Sequence, residues 1–492
     1  MPIRSPPQSV DVVLPACLGF LIGVLIHATR PFTPTATWVV AVLVLIASII
    51  WVVTNASTRI IAIMIFAVTV GLLRHDLTLP LANDPLMNAR GTDVSFVARV
   101  TTIRSYDALL SVISIGGHPA QTRGRVVLGR GHGVQQEGET WAVTCRIESA
   151  VGEHPSLADA TSKSMIFNAR DGAFFTCKGG ISTRKLTSPA WWDPRSLLAQ
   201  SRKAITTHIT TILPGDEGAL LAGILYGDRG LSSESAQAFR FAGMTHIIAV
   251  SGSNVTIVVV CLVPLFLALG YRRRFAIVLS IIAILAFVLF VGASASVVRA
   301  AIMGSLALFG RAIGRRTNAA RLLLIAGALL IAVSPWTLAF DAGFALSFLA
   351  TAGLIAWSAP LSRKLTFIPE RFGIREAAAT TTAATLATFP YQLWAFSSAS
   401  LAGLLTNLIV IPFLGATMGF GAIAVALAGF IPLATLPASG LLRFMLAVAN
   451  FSQRFPFLLV PIPISTEALF AIYVGLVGVT GKSPYVRISV GP

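Results

Sequence analysis

Long apolar runs, separated by short polar breaks, occupy most of this chain. A bilayer core takes roughly 20 apolar residues per helical span. Windows of that kind fall at 12–28, 37–53, 60–74, 245–270, 276–291, 297–313, 320–334, 343–360, 377–395, 401–430, 433–451 and 459–480. They predict about ten to twelve spans, hence a polytopic α-helical membrane protein. Residues 84–190 break the pattern. There, short segments of alternating polarity follow one another: "DVSFVARVTTI" (93–103), "LLSVISI" (109–115), "GRVVLGR" (124–130), "TWAVTCRIE" (140–148) and "GAFFTCKGG" (172–180). Gly- and Pro-containing turns separate them, and this strand spacing predicts a small OB-like β-barrel inserted between two membrane regions.

The predicted organisation is N-terminal transmembrane helices over 1–83, the β domain over 84–190, amphipathic or interfacial helices over 191–243, and a channel-type transmembrane domain over 244–492. In the third region, "WWDPRSLLAQSRKAITTHITTI" (191–212) reads as an amphipathic helix whose Trp191 and Trp192 suit the membrane interface. The run in "PGDEGALLAGILYGDRG" (214–230) is too short to cross a bilayer. It predicts an interfacial or re-entrant helix.

Composition sharpens this reading. Hydrophobic residues make up 55% of the 492 and charged residues only 12%, against about 25% charged in a typical soluble domain. The net charge of +17 would point to nucleic acid in a soluble protein. Here it follows first from the collection of Lys and Arg in cytoplasmic loops. "YRRRF" (271–275), "GRAIGRR" (310–316) and "SRKL" (362–365) lie two spans apart and share one face, which is assigned to the cytoplasm. With the N-terminus inside, three spans carry residue 84 to the far face, so the β domain is expected to be extracytoplasmic. Cys145 and Cys177 lie on two of its predicted strands, either as a disulfide or as two buried thiols. Between Arg90 and Lys203 there are 15 basic and 9 acidic residues, a net of +6. That balance suits either weak guidance of a polyanion or a plain solvated surface. Phe96, Trp141, Phe174 and Phe175 would stack on bases or fill the barrel core.

Four polar constellations interrupt the apolar runs. In "GMTHIIAVSGSNVTIVVVCLV" (243–263), a continuous helix would put His246, Val250, Ser253 and Asn254 on one face. Polar groups inside a membrane usually face a bundle interior or a watery cavity, and Gly252 permits close approach or a local break. A Ser251–His246 nucleophile and base is a poor reading, because five residues turn a helix by about 140° and no acid lies nearby. In "GASASVVRAAIMG" (292–304), Arg299 is the one charge between 276 and 310. That stretch predicts a hairpin turning near 292–296, with Arg299 about one turn inside the membrane. Its planar fork suits phosphate oxygens; snorkelling to the interface is the alternative. In "FDAGFALSFLATAGL" (340–354), Asp341 opens a span with Ser347 nearby, and either pairs with Arg299 or serves the helix terminus. In "TFPYQLWAFSSASLAGLLTNLIVIPF" (388–413), Pro390 and Pro412 predict kinks and Asn407 is an isolated polar group. Asp228 and Arg229 complete the candidate substrate-lining set. A Walker A loop, an HExxH pair and a metallo-β-lactamase histidine cluster are all missing, so neither a catalytic metal nor any other cofactor is expected, and the protein is not expected to be an enzyme.

Several of these stretches together resemble ComEC-type competence proteins: "LLAGILYGDRGLSSESAQAFRFAGMTHIIAVSGSNV" (220–255), "ASVVRAAIMG" (295–304), "DAGFALSFLATAGL" (341–354) and "TNLIVIPF" (406–413). Their order and spacing match, as do the N-terminal spans and a β domain with two cysteines. The resemblance implies passage of single-stranded DNA across the bacterial cytoplasmic membrane during natural transformation. It also implies an outer-face DNA receptor and a cytoplasmic DNA motor as partners, in addition to membrane lipid. Many members carry a C-terminal metallo-β-lactamase-like domain. It is not expected within these residues, so a separate nuclease would act on the other strand. The family pattern commonly has His where Asn254 stands, which disfavours a titrating role at that position. A small-solute or ion permease and a non-transporting assembly scaffold are the alternative functions.

Overall fold

The computed structural model describes residues 12–29, 44, 46–48, 59–78, 84–103, 107–120, 122, 124–129, 133–134, 136–149, 171–189, 192–228, 230–248, 250–292, 294–314, 317–370 and 373–481. The chain forms two compact units. One comprises 1–201 with 324–341, the other 202–323 with 342–492.

The first unit begins with a close parallel pair of helices, α1 (Val13–Thr29) and α2 (Arg59–Asp76). The two helices approach so closely that glycine is required at the crossing. A Cβ on Gly23 would lie 2.0 Å from the Val68 carbonyl oxygen, and one on Gly71 would lie 2.3 Å from that of Phe20. Gly19 and Gly23 form the small-xxx-small spacing that lets membrane helices pack backbone to backbone. The predicted span at 37–53 lies almost wholly outside the described residues.

A short helix α3 (Pro85–Asn88), capped by the Asp84 side chain, leads into the β domain. Its strands are β1 (Asp93–Ile103), β2 (Asp107–Ile115), the two-residue β3 (His118–Pro119), β4 (Val126–Gly129), β5 (Thr140–Ser149) and β6 (Phe175–Thr187). All five predicted strands are present, β6 running further than expected. β1 pairs with both β2 and β5, β2 with β4, β4 in parallel with β6, and β6 with β5. The ring is therefore closed, a five-stranded barrel with β3 appended to β2. Alternate residues point inward, as the two-residue period of a strand demands: Phe96, Ala98 and Val100 on β1, and Trp141, Val143, Cys145 and Ile147 on β5. All four candidate base-stacking aromatics are buried, which assigns Phe96, Trp141, Phe174 and Phe175 to the core.

Cys145 and Cys177 form a disulfide with their Cα atoms 5.4 Å apart. It sits where the β5–β6 register shifts between Thr144 and Arg146, clamping an irregular part of the ladder. Buried Glu139 accepts hydrogen bonds from Trp141 Nε1 (3.0 Å) and Lys185 Nζ (2.7 Å), so its charge is partnered rather than stranded. The helix α12 (Trp336–Phe340) packs its aromatic rings into the barrel's core. Trp336 touches both Phe174 of the barrel and His75 of α2.

The second unit is helical. It contains most of α4 (Pro194–Ile212), then α5 (Asp216–Tyr226), α6 (Ser233–Phe241), α7 (Thr245–Ile248), α8 (Gly252–Ala268), α9 (Arg273–Val291) and α10 (Ala295–Ala312). After α11 (Ala319–Val333) and α12 come α13 (Ala342–Lys364), α14 (Ile374–Phe396), α15 (Ala402–Leu427), α16 (Leu436–Ser452) and α17 (Thr466–Gly481). A two-stranded pairing of β7 (Ala399–Ser400) and β8 (Leu459–Val460) joins the starts of α15 and the run to α17. Among the described residues, five helical stretches are long and apolar enough to cross a membrane: α9, α10, α13, α15 and Pro432–Ser452. The apolar helices α1, α8, α11 and α17 are shorter. The window at 245–270 therefore yields a helix of 17 residues rather than a full-length span.

In α5, Gly218 through Ile224 are all buried. They lie in a core shared with Val410, Leu414 and Met418 of α15 and Leu442 and Met445 of α16. An apolar run too short to span is more economically covered by protein than by lipid. Its N-terminus is tied to α6 through Asp216, which accepts from Ser235 Oγ (2.5 Å), Ser232 Oγ (2.7 Å) and the Ser232 amide (3.0 Å). Partial burial raises the pKa of this carboxyl, but those three donors outweigh it and hold the group below the ordinary carboxylate range.

Candidate functional site

The segment 243–263 is not one helix. α7 ends at Ile248 and α8 begins at Gly252, with Ser251 extended at φ −106°, ψ 169°. The common face predicted for His246, Val250, Ser253 and Asn254 is therefore lost, because the helical register between 246 and 254 is interrupted. His246 is exposed on α7, whereas Val250 and Asn254 are buried. Gly243 bends the chain just before α7, at φ +66°. A Cβ there would sit 2.8 Å from the Cα of Gly403, so the turn is pressed against the start of α15.

Asn254 is fully buried. Its Nδ2 donates to the carbonyl of Ile224 in α5 (2.7 Å), and its Oδ1 accepts from Ser251 Oγ (2.9 Å). In this conformation the side chain is a clip between α8 and the last turn of α5, not a group facing an opening. Asn254→Ala leaves a buried carbonyl short of its donor, which costs about 2 kcal/mol. The melting midpoint of the purified protein in detergent is expected to fall, and an unchanged midpoint would show that the clip does not stabilise the unit.

The hairpin predicted near 292–296 turns after Val291, where Gly292 takes φ +100°, a conformation that favours glycine. Arg299 then lies about one turn into α10 and is 7% exposed. Its Nη1 donates to the Thr351 hydroxyl of α13, and Thr351 in turn donates to the Ser347 carbonyl (3.0 Å). Its Nη2 stands against Gly252, where a Cβ would come within 2.9 Å of it. Its Nε has no partner among the described residues. Arg299 thus bonds to the Thr351 hydroxyl, and Asp341 ends α12. Thr351 was not among the sequence-derived candidates, although it lies one helical turn beyond Ser347 in the quoted 340–354 stretch.

Other candidates lie apart from this cluster. Asp228 accepts from Thr206 Oγ1 (3.0 Å) beside a pocket of about 400 Å³ lined by Arg202, Lys203 and Tyr226. Arg229 falls outside the described residues, as does the side chain of Ser253. Asn407 is buried on α15 with its Oδ1 unpartnered among the described residues, while its neighbour Thr406 donates to the Ala242 carbonyl (2.6 Å). The structure therefore brings Gly252, Arg299, Thr351 and the Ser347 backbone into one junction, with Ser251 and Asn254 alongside.

A helical unit with several membrane-length spans enclosing a buried guanidinium, in a chain that also folds a disulfide-closed barrel, defines a multi-pass membrane protein with an inserted β domain. The profile of the family described as Competence protein matches residues 224–484, more than half of the sequence. The chain belongs to that family, in agreement with its ComEC-type motifs. It is 28% identical over 213 residues to ComE operon protein 3 of Bacillus subtilis (strain 168). That match covers 43% of this chain and 26% of the relative, so it spans about a quarter of the relative's length. No solved structure matches the chain.

Proposed function

We propose that this protein carries single-stranded DNA across the bacterial cytoplasmic membrane during natural transformation. The observation that carries the reading is that the competence-family match falls on the helical unit whose interior holds Arg299, a cation with hydroxyl rather than carboxylate company. A charge so placed in an apolar bundle is costly unless it serves a substrate or a partner. The β domain is proposed to be an OB-like barrel on the outer face. Its closed five-strand ring suits that fold, and a disulfide persists in oxidising compartments. Partners proposed on the same ground are a DNA receptor outside, a DNA motor inside and a nuclease.

Deletion of the protein tests this. Labelled double-stranded DNA is expected to bind the cell surface as before, while the fraction protected from external nuclease disappears. Protected uptake at the parental level would refute the transport role and favour a scaffold or a small-solute permease.

A further inference from the structure

We infer that the start of α8, together with Arg299, forms a binding site for one phosphodiester group of the translocating strand. This deepens the transport reading and rests on it.

Three positive features converge at the junction. The first is the guanidinium of Arg299, whose Nη2 abuts Gly252. The second is the N-terminus of α8, a helix of 17 residues, which carries roughly half a positive charge. The third is the N-terminus of α10, only one turn below Arg299. The first-turn amides of a helix have no acceptor within it. The residue that ought to cap α8, Ser251, does not do so: its hydroxyl is turned to Asn254 Oδ1. Placing a buried cation against an uncapped helix N-terminus is repulsive in a low-dielectric interior. Among the described residues the ion pairs are formed elsewhere, and the partner of Arg299 on α13 is a neutral hydroxyl. An anion resolves the conflict, and a helix N-terminus beside an Arg fork is a suitable cradle for phosphate oxygens.

Access follows from the start of α8, since Ser251 and Gly252 are only half-buried. The absence of a Cβ at Gly252 lets a backbone amide and the guanidinium reach the same oxygen. Arg299 faces α8 and α13 inside the helical unit. That position favours a strand passing through the bundle over a lipid headgroup, which would reach the bundle's outer surface.

The test uses the full chain in nanodiscs of zwitterionic lipid, with fluorescein-labelled oligothymidylate as probe and inorganic phosphate as competitor. Arg299→Ala and Arg299→Gln are expected to weaken oligonucleotide binding about tenfold or more and to lower the salt slope by about 0.7, the value for one single-strand phosphate contact. Arg299→Lys is expected to recover part of the affinity, because it restores the charge without the fork. Gly252→Ala, whose new methyl group would displace the guanidinium, is expected to act like Arg299→Gln while leaving the thermal midpoint near that of the parent. Parental affinity and salt slope in Arg299→Gln, in a protein whose deletion abolishes uptake, would overturn the site and leave the transport reading standing. Uptake that survives deletion would sink the transport reading by itself. An anionic lipid that co-purifies with the parent but not with Arg299→Gln, without any change in oligonucleotide binding, would assign the site to the membrane and also overturn the proposal.

Discussion

Loss of the Cys145–Cys177 bond is expected to destabilise the barrel by about 3–4 kcal/mol, the chain-entropy value for a loop of this size, given the sequence separation of 32. The bond joins β5 to β6 where their register slips, so the ladder hydrogen bonds there cannot make up for its loss. Both sulfurs also lie in the barrel core, with Cys145 only 1% and Cys177 7% exposed. The Cys145→Ala/Cys177→Ala pair removes the link without burying new hydroxyls. Limited proteolysis of the intact protein should then cut within 93–187 far faster than in the parent, and reductant alone should bring the parent to the same rate. Equal cleavage with and without the bond would show that the barrel is held by its core alone.

Gly23→Val is expected to force α1 and α2 apart. A Cβ at Gly23 meets the Val68 carbonyl at 2.0 Å, and one at Gly19 meets that of Met64 at 2.6 Å. Both obstacles are backbone atoms, so no rotamer change relieves them and a helix must move. Overpacking of this kind costs at least about 1–3 kcal/mol, and here the close approach that holds the helix pair is lost as well. The melting midpoint in detergent should fall, whereas Leu25→Val on the exposed side of the same helix should leave it nearly unchanged. Equal midpoints for the two variants would rule out the tight crossing.

The strands of the barrel were legible because two-residue alternation is a local signal, and the cysteines marked β5 and β6 before any pairing was known. The hairpin turn before Arg299 was legible from length alone, since 35 residues holding one charge cannot make a single crossing. The α1–α2 contact had a sequence signal too, in the spacing of Gly19 and Gly23, but two glycines do not say which helix they meet.

Sequence by itself determined the membrane class, the inserted β domain and the residues that carry the competence motifs. These follow from hydropathy and spacing, which act within a few residues of one another. Only the tertiary structure decided what the polar residues do. It ended α7 before Ser251 and so separated His246 from Asn254. It turned Asn254 to the carbonyl of Ile224, a residue 30 positions earlier, and set Arg299 between Gly252 and Thr351. Partners so distant along the chain are chosen by helix packing, because a buried polar group takes whichever donor or acceptor the bundle brings within reach.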